Sequence, residues 1–487
     1  MHVALLDTGK VLAFGGSGND PRNEGRPLPA ELFDPKTGTI TEVGQPLAGD
    51  VFCAGHAFLP DGRLLVAGGT RRYDGFLGLP VPPFRGLNQS YLFEPRTGWS
   101  RAPNMRRGRW YPTLVALADG RVLAVAGLTS HFPWAFLRKI EAFVPGTGWS
   151  KLRHASRWMP LYPRLHLLPD GRVFYSGSYN THHTFPFSLW WFPTATLDPA
   201  TGTWRVIGRP RQSEREEGAC VLLSLDPPGY RARILLIGGG TPSGKTATNA
   251  VESIDMGDST PRWNEAPPMQ FSRYYCYAVL LPDGNVLVLG GRNGKMGHAG
   301  MPGPMRGADG EIMHDPLAVL TPELFDVGAG TWTALAPMAV DRQYHSNAIL
   351  LPDGRVMMAG SNPARGVNEL RIEILRPPYL FRGPRPVIDD APLAVAYGVE
   401  FDVETPEADD VDGAALVSPT ATTHCVDPGQ RCVRLEIRGR ATDRLTLAAP
   451  TNPNAAPAGP YLLFLLRNGV PSEGRFMTVR SGSAPTS

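Results

Sequence analysis

Short apolar runs, an Asp-Gly turn, a second apolar run and a pair of glycines follow one another again and again along this chain. The phrase reads LLDTGKVLAFGG at 5–16, LPDGRLLVAGG at 59–69, LADGRVLAVAG at 117–127, LPDGRVFYSG at 168–177, LPDGNVLVLGG at 281–291 and LPDGRVMMAG at 351–360. A degenerate seventh copy, RARILLIGGG, occupies 231–240. Apolar runs this short, bounded by turn residues, predict strands rather than helices. Asp-Gly tolerates the positive φ of a tight hairpin, so each phrase predicts two antiparallel strands. A second turn signature follows most copies: DPKTGT, EPRTGW, VPGTGW, DPATGTW and DVGAGTW. Each repeat therefore predicts four strands.

The copies recur roughly every 50–70 residues, the period of propeller blades of the kelch kind. A four-stranded unit cannot bury both its faces alone, so the units must stack around an axis. Seven copies predict seven blades. The phrase stops near residue 380, where RPPYLFRGPRPV (376–387) forms a Pro-rich linker. The stretches ALVSPTATTHCV, VRLEIRG, RLTLAAP and YLLFLLRNG beyond it predict further strands without the repeat. The expected fold class is all-β: a propeller over 1–385 and a C-terminal immunoglobulin-like β-sandwich over 386–487.

Counting seven residues back from the second letter of the phrase gives Cys53, Tyr111, Tyr162, Tyr275 and His345 in five copies. If the copies are equivalent in space, these side chains share one depth around one axis. Antiparallel order puts them on the same face as the long connections between second and third strands. Those connections carry aromatic and imidazole side chains, among them His131, Trp134, Trp190 and His298, and predict a substrate mouth; each of these residues has the plainer reading of packing its loop down. Tyr344 and His345 are adjacent, and His424 sits on the shoulder of a predicted hairpin, TATTHCVDPGQRC. Two imidazoles and two phenols are nitrogen and oxygen donors that suit Cu(II). Each residue alone also has a plainer reading: a strand-head tyrosine, a buried thiol, a turn histidine. The register match among them is the stronger argument. Tyr162 and Tyr275 either line the substrate pocket or pack the channel.

Composition narrows the classes. There are 55 Gly and 49 Pro, and only 19% of residues are charged, which is a turn-rich β composition rather than a disordered one. A net charge of +3 gives no basis for nucleic-acid or acidic-membrane binding. No apolar run is long enough to span a bilayer, and no signal peptide is read in the chain. Five cysteines leave one over if Cys220 pairs with Cys276 and Cys425 with Cys432; the alternative is five free thiols. GGTPSGKT (239–246) fits a phosphate-loop pattern, but a predicted strand follows it where that loop needs a helix.

The residues FCAGH around Cys53, RWYPT around Tyr111, the YHS triplet from Tyr344 and TTHCVDPGQR around His424 resemble the copper radical oxidases, the family of galactose oxidase and glyoxal oxidase. The resemblance spans nearly the whole chain, and the linker PPYLFRGPRPV is more similar to the glyoxal oxidase branch. It implies one copper per chain held by Tyr111, Tyr344, His345 and His424. It also implies a Cys53–Tyr111 thioether radical cofactor and Tyr344 as axial ligand and general base. The implied reaction oxidises small aldehydes such as glyoxal or methylglyoxal to acids, with dioxygen reduced to hydrogen peroxide. Primary-alcohol oxidation is the alternative within the family; a non-catalytic kelch scaffold is the alternative outside it. The partners implied are substrate and dioxygen, with no nucleic acid and no membrane span, in a protein expected to be monomeric. The family implies an extracellular or cell-surface setting, a cytoplasmic one remaining open. Galactose oxidase stacks a Trp on its cross-linked Tyr from a position soon after it. The corresponding AGLTS has none, leaving Trp134, Trp158 or another aromatic for that place.

Overall fold

The computed structural model describes the chain apart from residues 26–27, 45–48, 74–83, 130–136, 181–191, 213–214, 241–245, 295–314, 363–367 and 483–487. Seven antiparallel sheets stand around an axis, followed by a β-sandwich. The innermost strands are His2–Leu5, Gly55–Phe58, Thr113–Ala116, Leu161–Leu167, Ala219–Leu222, Tyr277–Leu280 and Asn347–Leu350. Their repeated hairpins close as the sequence requires: Gly62, Gly120, Gly171, Gly284 and Gly354 all take φ between +81° and +89°, a region open to glycine at no steric cost. Blades two to six have four strands each, and blade seven has three among the described residues. After GGTPSGKT the chain enters the strand Val251–Asp255, antiparallel to Arg233–Ile237, so the segment belongs to blade five and not to a phosphate loop. The connections carrying His131, Trp134, Trp190 and His298 lie outside the described residues.

A buried ion pair, unread in the sequence, ties the top of each of four blades together. Arg109 meets Glu141 at 3.0 Å, Arg215 meets Glu252 at 2.5 Å, Arg273 meets Glu323 at 2.6 Å and Arg342 meets Glu373 at 3.0 Å. In each case the arginine lies just ahead of an innermost strand and the glutamate on the third strand. The guanidinium also donates to carbonyls at the end of the second strand, as Arg109 does to Ala126 at 2.6 Å. The carboxylate's other oxygen accepts a backbone N–H, as Glu141 does from Arg106 at 2.7 Å. With every polar atom of the carboxylate engaged, the desolvation of the pair is offset and its geometry is fixed.

The C-terminal domain packs on the Asp-Gly face. Arg431 donates to the Leu167 carbonyl at 2.9 Å, Asn452 to Pro169 at 2.9 Å and Arg434 to Pro282 at 3.0 Å. Arg431 and Asn452 cap the hairpin of blade four and Arg434 that of blade six. The strand Cys432–Ala441 shifts register between Ile437 and Gly439 and so takes part in both halves of the sandwich. Before it, the short strand Ala421–Thr422 enters the propeller and pairs with His2–Leu5 as a fifth strand of blade one. All five cysteines are buried and unbonded, so neither pair considered from the sequence forms a disulfide. Cys220 instead contacts the Ser176 hydroxyl at 3.1 Å, and Cys276 faces the Ile237 carbonyl.

Candidate metal centre

The chain turns sharply just before each innermost strand, and the turning residue projects inward. Cys53, Tyr111, Tyr162, Tyr275 and His345 have φ of +62°, +61°, +44°, +60° and +62°. Left-handed φ is uncommon in residues with a side chain and costs of order 1–3 kcal/mol each. Its recurrence at one register shows that the repeats are spatially equivalent there. Backbone bonds join neighbours: Tyr111 N–H donates to the Cys53 carbonyl and Tyr162 N–H to that of Tyr111, both at 3.0 Å. Blade five contributes a sixth member that the sequence reading missed. Glu217 has φ +56°, and its carbonyl accepts from Tyr275 N–H at 2.6 Å. The Asp-Gly turn that marks the other copies is absent from blade five, so the count had no anchor there. Aligning Leu223 with the leucines ahead of the other turns would have found it.

Four of the predicted residues converge at the axis. The hydroxyls of Tyr111 and Tyr344 lie 2.5 Å apart, and His424 Nε2 is 3.1 Å from the Tyr111 hydroxyl. His345 stacks on Tyr344 with ring centres 3.7 Å apart and meets His424 edge to face at 4.3 Å. Cys53 Sγ is 4.0 Å from His424 Nε2, and the thiol is in hydrogen-bonding reach of the Tyr111 side chain. The strand Ala421–Thr422 carries His424 to this depth, and Thr423 Oγ1 fixes its ring through Nδ1 at 2.7 Å.

Burial sets the charge of the group. It lowers the pKa of His345 and His424 well below the usual value, assisted by the chain's amino terminus and by neighbouring imidazoles. Both rings are therefore neutral at pH 7, the form that ligates metals. Burial likewise raises the Cys53 thiol and holds it protonated. Both ring nitrogens of His345 are buried without a well-aligned hydrogen bond; the Asn362 side chain lies near enough to raise its pKa against the larger effect of burial. Cys53, His345 and His424 place their donor atoms within 4.8 Å of one another. Neutral imidazoles, phenols and an unengaged ring in a dry pocket fit a copper ion with nitrogen and oxygen ligands.

Residues 30–379 match the family model described as glyoxal oxidase N-terminus, and residues 385–479 match the galactose oxidase-like early set domain. The chain belongs to the glyoxal oxidase family. It is thus a copper radical oxidase. Aldehyde oxidase GLOX of Vitis pseudoreticulata is 29% identical over 98% of this chain and 94% of its own length. Galactose oxidase of Gibberella zeae is 24% identical over 94% of this chain and 64% of its own. A fungal alcohol oxidase solved in complex with copper superposes with a TM-score of 0.80 at 23% identity, covering 98% of this chain and 96% of its own, and so shares the fold.

For a member of the glyoxal oxidase family, the surroundings of Tyr111 bear most directly on chemistry. The ring stacks on Trp110, its neighbour in sequence, at 3.8 Å and 10°, and on Tyr162 at 4.4 Å and 29°. Trp110 therefore takes the place for which Trp134 and Trp158 were considered. Trp158 lies elsewhere, beneath the Arg138 guanidinium, and Trp134 is outside the described residues. Stacking between consecutive residues is possible because the left-handed turn at Tyr111 folds its side chain back. Tyr162 is buried and donates to the Ala54 carbonyl at 2.7 Å. Tyr275 hydrogen-bonds the Glu217 carboxyl and lies 5.3 Å from the Tyr344 ring. Burial and then the adjacent Glu216 raise the Glu217 pKa well above the carboxylate range. Among the described residues, no helix is long and apolar enough to cross a membrane.

Proposed function

We propose that this protein oxidises small aldehydes, as their hydrates, to carboxylic acids while dioxygen is reduced to hydrogen peroxide. The balance is RCH(OH)2 + O2 → RCOOH + H2O2. The observation that supports it most is the meeting of the Tyr111 and Tyr344 hydroxyls at 2.5 Å beside two neutral imidazoles. Tyr111, Tyr344, His345 and His424 are the proposed copper ligands. Aldehydes are ranked first because the 29% identical relative from Vitis is named an aldehyde oxidase.

Copper, when bound, supplies a one-electron acceptor and a coordination position for the substrate oxygen. The chain supplies the rest. Tyr344, half-buried where the others are fully buried, accepts the substrate hydroxyl proton at its own oxygen. Tyr111 holds the second oxidising equivalent and takes hydrogen from the substrate carbon. A sulfur substituent makes a phenol easier to oxidise, and the Cys53 thiol stands beside this ring. The cross-link forms by loss of the thiol hydrogen and one ring hydrogen to dioxygen: RSH + ArH + O2 → RSAr + H2O2. Trp110 and Tyr162 shield the resulting radical from water and reductants. His345 and His424 stay neutral and fixed throughout. The extracellular setting is part of the same proposal.

A peroxide-coupled assay of the copper-loaded protein tests this reading with glyoxal, methylglyoxal, glycolaldehyde, galactose and simple primary alcohols. Peroxide from the aldehydes at higher kcat/KM than from the alcohols supports it. The reverse order assigns the same site to alcohols. Absence of peroxide from every substrate, with a one-electron oxidant present, defeats it.

A further inference from the structure

Beside the metal centre lies a second pair of imidazoles that the oxidase reaction does not use. His2 is in the innermost strand of blade one and His56 in that of blade two; they are 0% and 5% exposed. Their ring centres are 5.1 Å apart at 83°. Phe14 covers both, stacked on His2 at 4.8 Å and edge-on to His56 at 5.9 Å. All four ring nitrogens are buried and none makes a well-aligned hydrogen bond to another group; the Val51 backbone near His2 and the backbone of His56 itself come close enough to raise each ring's pKa against the larger effect of burial. A buried imidazole normally satisfies both nitrogens, because an unengaged one forfeits its hydration without return. Four in one apolar place point to a ligand.

The chemistry of the pair selects that ligand. Both rings are held neutral by burial, with His56 lowered to about 3, so both are available as nitrogen donors at any ordinary pH. Among the described residues, the only trio of His, Cys, Asp or Glu with metal-binding spacing is Cys53, His345 and His424. The His2–His56 pair therefore has no carboxylate or thiolate to complete the four-fold shell that a divalent zinc or copper ion takes. A monovalent d10 ion satisfied by two donors fits: Cu(I) between two neutral imidazoles. Position gives the site a use. A crevice of about 80 Å3 at the seam between the propeller and the C-terminal domain reaches His56 past Leu114, Ser418, Ala421, Gly429 and Tyr461. On the other side, the His2 ring is 6.4 Å from that of His424.

We propose that His2 and His56 form a second, two-coordinate Cu(I) site through which copper passes from the interdomain crevice to the oxidase centre. The proposal takes from the functional reading only that copper is the ion to be delivered. The ion reaches His424 from the side of the sandwich, so metal loading and substrate binding use opposite faces of the ring.

Anaerobic titration of the copper-free full-length protein with Cu(I), against a chromophoric Cu(I) chelator, reads the stoichiometry. Wild type is expected to bind two equivalents, His56→Phe and His2→Gln one, His345→Ala one, and His56→Phe/His345→Ala none. X-ray absorption of His345→Ala with one equivalent should show two nitrogen donors and no sulfur. His56→Phe should also slow the two-hydrogen mass loss of cross-linking when Cu(I) is limiting, but reach the same end point. Circular dichroism melts of the two single variants confirm that each is folded. A single equivalent in wild type, a second equivalent surviving both His56→Phe and His2→Gln, or sulfur in the absorption spectrum overturns the proposal. Those outcomes leave the oxidase reading intact if peroxide is still made; failure of that reading appears instead as an absence of peroxide and of mass loss.

Discussion

The hydroxyls of Tyr111 and Tyr344 lie 2.5 Å apart although 233 residues separate them in the chain. Two phenols this close share a proton or a metal, and the neutral rings of His345 and His424 beside them favour the metal. In copper titrations monitored by absorption, Tyr344→Phe should still bind the ion while kcat falls by a factor of about 100 or more, the usual worth of a positioned proton acceptor. An unchanged kcat would remove Tyr344 from proton transfer.

The Cys53 thiol stands in hydrogen-bonding reach of the Tyr111 side chain, and the proposed oxidase chemistry requires a bond between the two. Exposure to copper and air should leave the intact protein two hydrogens lighter by mass spectrometry. Cys53→Ala should abolish the loss, as should Tyr111→Phe, which lacks the activating hydroxyl. A mass loss persisting in Cys53→Ala would place the cross-link elsewhere.

Among the described residues, Trp110 stacks on Tyr111 more closely than any other ring does, at 3.8 Å. Trp110→Phe keeps an aromatic face of smaller area and should preserve copper stoichiometry. It should shorten the lifetime of the oxidised phenol, read from the decay of its radical absorption or paramagnetic signal. Trp110→Ala should in addition destabilise the fold by about 3–5 kcal/mol, the cost of emptying a large buried aromatic site.

Arg109 has a fully buried guanidinium, held by Glu141 and the Ala126 carbonyl, two residues ahead of Tyr111. Arg109→Ala leaves Glu141 charged and buried without its partner, so a loss of about 3–5 kcal/mol is expected in chemical denaturation. Arg109→Lys should recover little of it, because a point charge cannot reproduce the fork of contacts.

Stability should respond to pH at two places away from neutrality. Burial, then the Arg431 and Arg164 charges, lower the His166 pKa to about 3. The unfolded chain therefore binds a proton near pH 6.5 that the folded chain refuses. Its contribution is present above pH 6.5 and is lost as pH falls from there toward 3, at up to about tenfold in the folding constant per pH unit. Glu217 runs the other way: its folded pKa is raised, so its contribution is present below about pH 4.5 and is lost as pH rises through the folded value. Denaturation midpoints of His166→Gln should be flatter between pH 6.5 and 3 than those of wild type. Those of Glu217→Gln should be flatter above pH 4.5. Parallel curves for variant and wild type would refute either assignment.

The sequence by itself determined the number of blades, the Asp-Gly hairpins and the register of Cys53, Tyr111, Tyr162, Tyr275 and His345, because strand period and turn chemistry are local and each repeat writes them out again. It also supplied the donors Tyr344 and His424 through their motifs. Only the tertiary structure decided which ring faces which. Glu217 was hidden where the turn signal degenerates, and Trp110 gained its role from a left-handed backbone that no composition announces. The Arg109–Glu141 type of clasp joins positions 31 to 50 residues apart. The His2–His56 pair exists only because the first two blades touch and an apolar covering withholds water from both rings. Local pattern sets the elements; burial and long-range contact set the charge, the neighbours and hence the chemistry of each side chain.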